Sequence, residues 1–193
     1  QLYRNDMNGM SDNWLTLSFD TSFNTALAPN GFGTRVTAEV GGNVYTRWLN
    51  GCNNYLSQSE LSVHFGLGDA TMIDTLTIAW ANGEVTTLND VAVNQAIEVF
   101  APVSLNVDLS GGGALTWEGG AACSYEVHAS NVPYFVPNAG TLVGTESGGS
   151  PSYTYPLALD DGNTTYYIVQ AFACSGGGNA TSTPLGEFEF TMK

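Results

Sequence analysis

The chain has 193 residues, 43% of them hydrophobic and 11% aromatic, so it can bury a core and is not a disordered tail. Its formal net charge is −14, and its only basic residues are Arg4, Arg35, Arg47 and Lys193. Without clustered Lys or Arg to displace counterions, a nucleic-acid partner is excluded, as is attraction to an anionic lipid surface. No apolar run approaches the roughly 20 residues that a membrane helix needs, so membrane insertion is not expected.

Alternation with a period of two dominates the first hundred residues, and no segment carries a helical stripe. Leu15, Leu17 and Phe19 alternate with Trp14, Thr16 and Ser18. Val36, Ala38 and Val40 alternate with Thr37 and Glu39, and a Gly41-Gly42-Asn43 turn leads into a strand running through Trp48. Leu61, Val63 and Phe65 share one face, which puts Ser62 and His64 on the other. Leu76, Ile78 and Trp80 form a further inward row, closed by the turn Ala81-Asn82-Gly83, and Val91 to Val99 reads as the last strand of this unit. Ala101-Pro102 then breaks the pattern and marks the domain boundary. Charged residues are only 11%, and Gly, Ser, Thr and Asn replace them, as short strands with tight turns require. The expected fold is all-β, with two antiparallel sandwich domains in tandem.

Several segments of the first hundred residues together resemble the ASPIC/UnbV module. They are Leu2-Tyr3-Arg4-Asn5, Asn13-Trp14-Leu15, Asn24, Gly31-Phe32-Gly33-Thr34-Arg35-Val36, Tyr55-Leu56-Ser57-Gln58-Ser59 and Phe65-Gly66-Leu67-Gly68, followed by Ile78-Ala79-Trp80-Ala81-Asn82-Gly83-Glu84-Val85. That module is found in secreted proteins, among them the cartilage acidic protein family, and it has no agreed catalytic site. Two departures are visible. Ala81 stands where the family commonly has proline, and Thr25 where it commonly has arginine. The sheet accommodates both changes, but a ligand of that arginine is not carried over. The resemblance makes residues 1–12 either a remnant of a preceding repeat or an arm released to pair elsewhere, and residues 13–100 the ASPIC/UnbV-like domain.

Residues 103–193 form the second expected domain. Leu115-Thr116-Trp117, Tyr125-Glu126-Val127 and Tyr167-Ile168-Val169-Gln170-Ala171 resemble strands B, C and F of a fibronectin type III or immunoglobulin-like sandwich. Pro133-Tyr134-Phe135 and the closing Leu185-Gly186-Glu187-Phe188-Glu189-Phe190 extend that likeness. In such a sandwich Cys123 begins strand C and Cys174 ends the adjacent antiparallel strand F, so the resemblance implies a Cys123–Cys174 disulfide. Closing a loop of about fifty residues would contribute roughly 4 kcal/mol in the chain-entropy model and implies an oxidising compartment. Simple alternation gives Cys174 the wrong parity, which a bulge at the strand end would correct. Three cysteines leave one over, and Cys52 in a turn-like loop reads as unpaired or as half of an intermolecular bridge.

Candidate chemistry is sparse. His64 and His128, the only histidines, fall in different domains, and both read as polar-face strand residues without an orienting partner. Asp6-Met7-Asn8-Gly9 and Asp160-Asp161-Gly162-Asn163 place oxygen ligands beside glycines, so calcium is a weak candidate, but ordinary turn chemistry explains both segments and no other cofactor is expected. Asn163-Thr164-Thr165 and Asn179-Ala180-Thr181 are acceptor sequons for N-glycosylation. Trp80 and Trp117 lie on inward rows, whereas Trp14 faces away from its apolar neighbours, toward another domain, a subunit or a sugar.

The sequence therefore points to a secreted, non-catalytic structural or adhesive protein, a homo-oligomer or polymer assembling through β-strand edges into an extracellular filament or matrix. Its expected interaction surface includes Leu2, Tyr3, Trp14 and Trp48. The alternative is a carbohydrate-binding accessory module of a larger extracellular protein, with a polysaccharide or another extracellular protein as partner. Gln1 opens the chain with no charged, apolar leader, as a mature or excised product would.

Overall fold

A computed structural model describes residues 12–51, 58–108, 114–117, 122–149, 152–154, 164–174, 179–182 and 185–186. Leu2, Tyr3 and the rest of residues 1–11, Cys52, both calcium-like loops, Asn163 and Glu187–Phe190, for which the sequence sets expectations, lie outside these residues. The protein is all-β, built from antiparallel sheets; among the described residues there is one 3-10 turn, at Pro29–Gly31. It divides into two compact units, residues 1–19 with 30–99 and residues 20–29 with 100–193.

The first unit holds β1 (Asn13–Asp20), β2 (Arg35–Val40), β3 (Asn43–Trp48), β4 (Val63–Gly68), β5 (Met72–Ala79), β6 (Val85–Ala92) and β7 (Gln95–Phe100). Two sheets result, in the orders β4-β1-β7 and β3-β2-β5-β6. The alternation read from the sequence is what buries them: Leu15, Leu17 and Phe19 from β1, Val63, Phe65 and Leu67 from β4, Val36, Ala38 and Val40 from β2, and Ile73, Leu76 and Ile78 from β5 are all buried. Phe19 meets Trp80 edge to face, with ring centroids 5.5 Å apart, and the Trp80 Nε1 donates to Thr86 Oγ1 at 2.9 Å. Gly31 makes room for this pair. Its φ is +71°, and an added Cβ would lie 2.9 Å from the Phe19 Cβ.

One strand assignment is corrected. Val91 to Val99 is not a single strand, because β6 ends at Ala92 and β7 begins at Gln95. Asn94 reverses the chain in the left-handed region at φ 60°, a conformation that asparagine tolerates better than most residues. The apolar alternation runs on through the turn, which is why the sequence pattern hides it.

The second unit holds β8 (Leu105–Asp108), β9 (Ala114–Trp117), β10 (Ala122–Ser130), β11 (Leu142–Ser147), β12 (Ser152–Thr154), β13 (Tyr166–Ala173), β14 (Asn179–Thr181) and β15 (Leu185–Gly186). One sheet runs β12-β9-β8; the other runs β11-β10-β13-β14, with β15 also on β13. Side chains from both meet in one core: Leu115 and Trp117 pack with Tyr125, Val127, Val169 and Ala171. Phe23 enters this core from residues 20–29. Its neighbour Asn24 is fully buried, donates from Nδ2 to the Pro102 carbonyl at 2.8 Å and accepts at Oδ1 from the Ala26 amide. The Asp20 carbonyl accepts from the Ala101 amide at 2.8 Å.

Cys123 and Cys174 are joined by a disulfide across 51 residues of chain. β10 and β13 are antiparallel neighbours, and their register slips between Ala122 and Ser124. The irregularity falls on Cys123 itself and resolves the parity conflict.

Candidate functional site

The site is built on the solvent side of sheet β4-β1-β7. Burying Leu15 and Leu17 forces Trp14 and Thr16 outward, and burying Val63 and Phe65 does the same for His64. The antiparallel register then sets Trp14 opposite Gly66 and Thr16 opposite His64, which makes Trp14 and His64 diagonal neighbours. Thr16 Oγ1 and His64 Nδ1 are 2.9 Å apart, so the hydroxyl holds the imidazole in one orientation. In that orientation the imidazole stacks on the indole, with centroids 6.1 Å apart and planes 21° apart.

Asn94 clamps the backbone beneath the indole. Its amide donates to the Trp14 carbonyl at 2.6 Å, its Oδ1 accepts from the Trp14 amide at 3.2 Å, and its Nδ2 donates to Asn13 Oδ1 at 2.7 Å. Asn13 in turn donates from Nδ2 to the Ala70 carbonyl. Trp14 is thus a fixed platform, 36% exposed. Around it Asp12, Asn13, Trp14, Thr16, His64 and Gly66 line an open groove of about 370 Å³.

Gly66 is informative because the backbone does not require it. It has no positive φ, and a methyl group added there would touch nothing within 4 Å. Its absent side chain leaves the space beside the indole open.

A hydroxyl within hydrogen-bond reach of an imidazole can be half of a nucleophile–base pair. Acyl transfer also needs amide donors aimed at a developing oxyanion. β1 is the central strand, flanked by β4 and β7, so its ladder directs its amides into the sheet. The arrangement suits contact with a ligand: one flat aromatic face rimmed by a carboxylate, a hydroxyl and an imidazole.

The other sequence-predicted residues fall elsewhere. Trp48 is 59% exposed on the edge strand β3, and Val44 is exposed on the same strand. Trp80 and Trp117 are buried, as their inward rows implied. Asn179 is exposed at the start of β14, where an acceptor asparagine must be accessible. Among the described residues no group of three or more His, Cys, Asp or Glu could hold a metal ion.

His128 lies on the face of β10 opposite Val127, with Glu126, as alternation implied, yet it is buried at 2% exposed. The β10–β11 register slips between Val127 and His128, but the extra residue is Val143 of β11; β10 stays in register with β13, where His128 lies opposite Ile168, and the segment bearing Thr141 meets its ring. His128 Nδ1 lies 3.1 Å from Thr141 Oγ1, while Nε2 is 3.5 Å from Glu126 Oε2. That contact has ion-pair distance without hydrogen-bond geometry, so Nε2 stays a buried nitrogen with no hydrogen-bond partner. The β10–β11 connection beyond it exposes Val132, Tyr134 and Val136, and Tyr134 sits at φ 56°. Alternation alone did not reveal Asp12, Thr16, Gly66 or Asn94 as parts of a site, because only the long-range register brings them together.

Residues 24–105 match the family model described as ASPIC and UnbV. This is an extracellular-type domain family. The match covers less than half of the chain and begins after β1, so the likeness read over residues 1–23 is not part of it. None of the curated proteins compared with the chain matches it. Among the described residues, no helix is long and apolar enough to cross a membrane.

Proposed function

We propose that this chain is a secreted, non-catalytic adhesive or structural protein that works by presenting sheet surfaces to extracellular partners. The observation that carries the reading is the fixed, outward-facing Trp14, clamped by Asn94 in an open groove whose hydroxyl and imidazole already bond to each other. Such a surface favours contact over chemistry. The extracellular character of the matched family and the Cys123–Cys174 disulfide fit an oxidising compartment.

Assembly with further copies is the specific form of this reading. Among the described residues β3 is the edge of its sheet and carries exposed Val44 and Trp48, and a strand from another subunit can extend such an edge. The uncharged stretch from Ala129 to Thr145, with its exposed Tyr134, adds a second apolar contact. Light scattering on the eluting protein tests this directly. Replacing Val44 by Lys and Trp48 by Asp is expected to convert a polymer to monomer, and a wild-type chain that is monomeric at high concentration removes the assembly reading. A carbohydrate-binding module is the second reading, favoured by the groove itself.

A further inference from the structure

We infer that the Trp14 groove is a subsite for one uncharged pyranose unit of an extracellular glycan. This rests on the reading of the chain as a contact module and names the ligand class of its groove.

Charge decides the class. Among the described residues, the groove is lined by one carboxylate, Asp12, and by no Lys or Arg. Of the two described arginines, Arg35 belongs to β2, and Arg47 stacks over the Phe65 ring at 5.6 Å. A uronate, sialylated or sulfated ligand would find no arginine or lysine among the described residues here, and a molecule of net charge −14 repels it. An uncharged sugar meets no such penalty.

Shape and polarity agree with charge. A pyranose presents a flat C–H face that packs on an aromatic ring, while its hydroxyls point outward around the rim. The Trp14 face supplies the ring. Asp12 accepts from hydroxyls, and with His64 Nδ1 held by Thr16, Nε2 is the imidazole atom left to bond a ligand. Gly66 keeps open the space that the sugar occupies, which explains a glycine that the backbone does not need. The volume of about 370 Å³ lies at the small end of the roughly 300–1,000 Å³ typical of small-ligand sites.

A folded protein partner fits less well. A stable protein interface buries on the order of 1,000 Å² or more around an apolar centre. This face offers a single indole among Asp12, Thr16, Ser18 and His64.

The test is titration calorimetry of the full chain against uncharged oligomers of glucose, mannose, galactose, xylose and N-acetylglucosamine, with oligouronates as the charged set. Saturable binding to at least one uncharged series is expected, with at least tenfold weaker binding of oligouronates of equal length. Trp14→Ala should weaken the uncharged interaction at least tenfold. Gly66→Leu should do the same with an unchanged melting temperature, which separates a filled groove from a damaged fold. Equal or stronger binding of uronates, no binding to any uncharged series, or Trp14→Ala that binds as wild type overturns the proposal. Loss of self-association in Trp14→Ala without any glycan binding overturns it too, and leaves the adhesive reading standing with a protein at this face.

Discussion

The two units close their cores by different means. In the first, uninterrupted alternation in β1, β2 and β4 sends apolar side chains inward and leaves the opposite face of β4-β1-β7 free to carry Trp14, Thr16 and His64. In the second, β10 carries an extra residue against β13 and β11 carries one against β10, a disulfide ties β10 to β13, and Phe23 arrives from a segment distant in sequence. The β1–β4 ladder shifts register only at its end, between Asn13 and Trp14, and leaves its polar face available for binding, whereas the second unit uses polar and covalent groups to hold itself together.

The largest test of that contrast is Phe23→Ala. Phe23 is 2% exposed, stacks on Phe100 at 5.5 Å and belongs to the core of the second unit. Truncating a buried aromatic costs about 3–5 kcal/mol. Hydrogen exchange should show protection falling in β10 and β13 while β2 and β5 keep theirs. Loss confined to β2 and β5 would mean that residues 20–29 anchor the first unit instead. Asn24→Ala should act in the same direction at about 1–3 kcal/mol, because it leaves the buried Pro102 carbonyl without the Nδ2 donor.

Removing the disulfide comes next. Cys123→Ser with Cys174→Ser should lower stability in urea by about 2–4 kcal/mol, chiefly by freeing the unfolded chain of a 51-residue closure. Both cysteines are solvent-exposed, so the serines open little cavity. The same exchange measurement should place the loss in the second unit. An unchanged urea midpoint would show that β10 and β13 hold without the crosslink.

Much of this contrast was legible in the residues, and the rest was not, for a physical reason. Alternation reports which side of its own strand a residue occupies, so the outward placing of Trp14 and His64 and the burial of Trp80 and Trp117 could be read directly. Register is a long-range property. Nothing near Trp14 announces that Gly66 lies opposite it, or that Asn94 will clamp it from eighty residues away. Bulges are invisible to alternation as well. The one at Cys123 was required by the pairing of two cysteines, whereas the one beside His128 had no such partner to reveal it. The Val93–Asn94 turn is hidden from alternation because the apolar residues around it keep a strand's rhythm.

The two histidines give the smallest and most discriminating comparison, since each follows a core valine and points away from it, and they differ in burial: His64 is exposed, whereas His128 is buried against Thr141. His64 is exposed, and its bond to Thr16 orients a ring that already faces water, so His64→Ala should change stability by no more than about 0.5 kcal/mol. His128 is buried, and its Nδ1 engages the Thr141 hydroxyl that also accepts from the Asn138 amide and donates to the Asn138 carbonyl. His128→Ala therefore leaves a cavity and loosens the turn that closes β10 onto β11, at about 1–3 kcal/mol. Paired urea titrations read both numbers. If His64→Ala proves the costlier, the outer face of β4-β1-β7 is holding the sheet together, and its claim to be a surface reserved for a ligand fails with it.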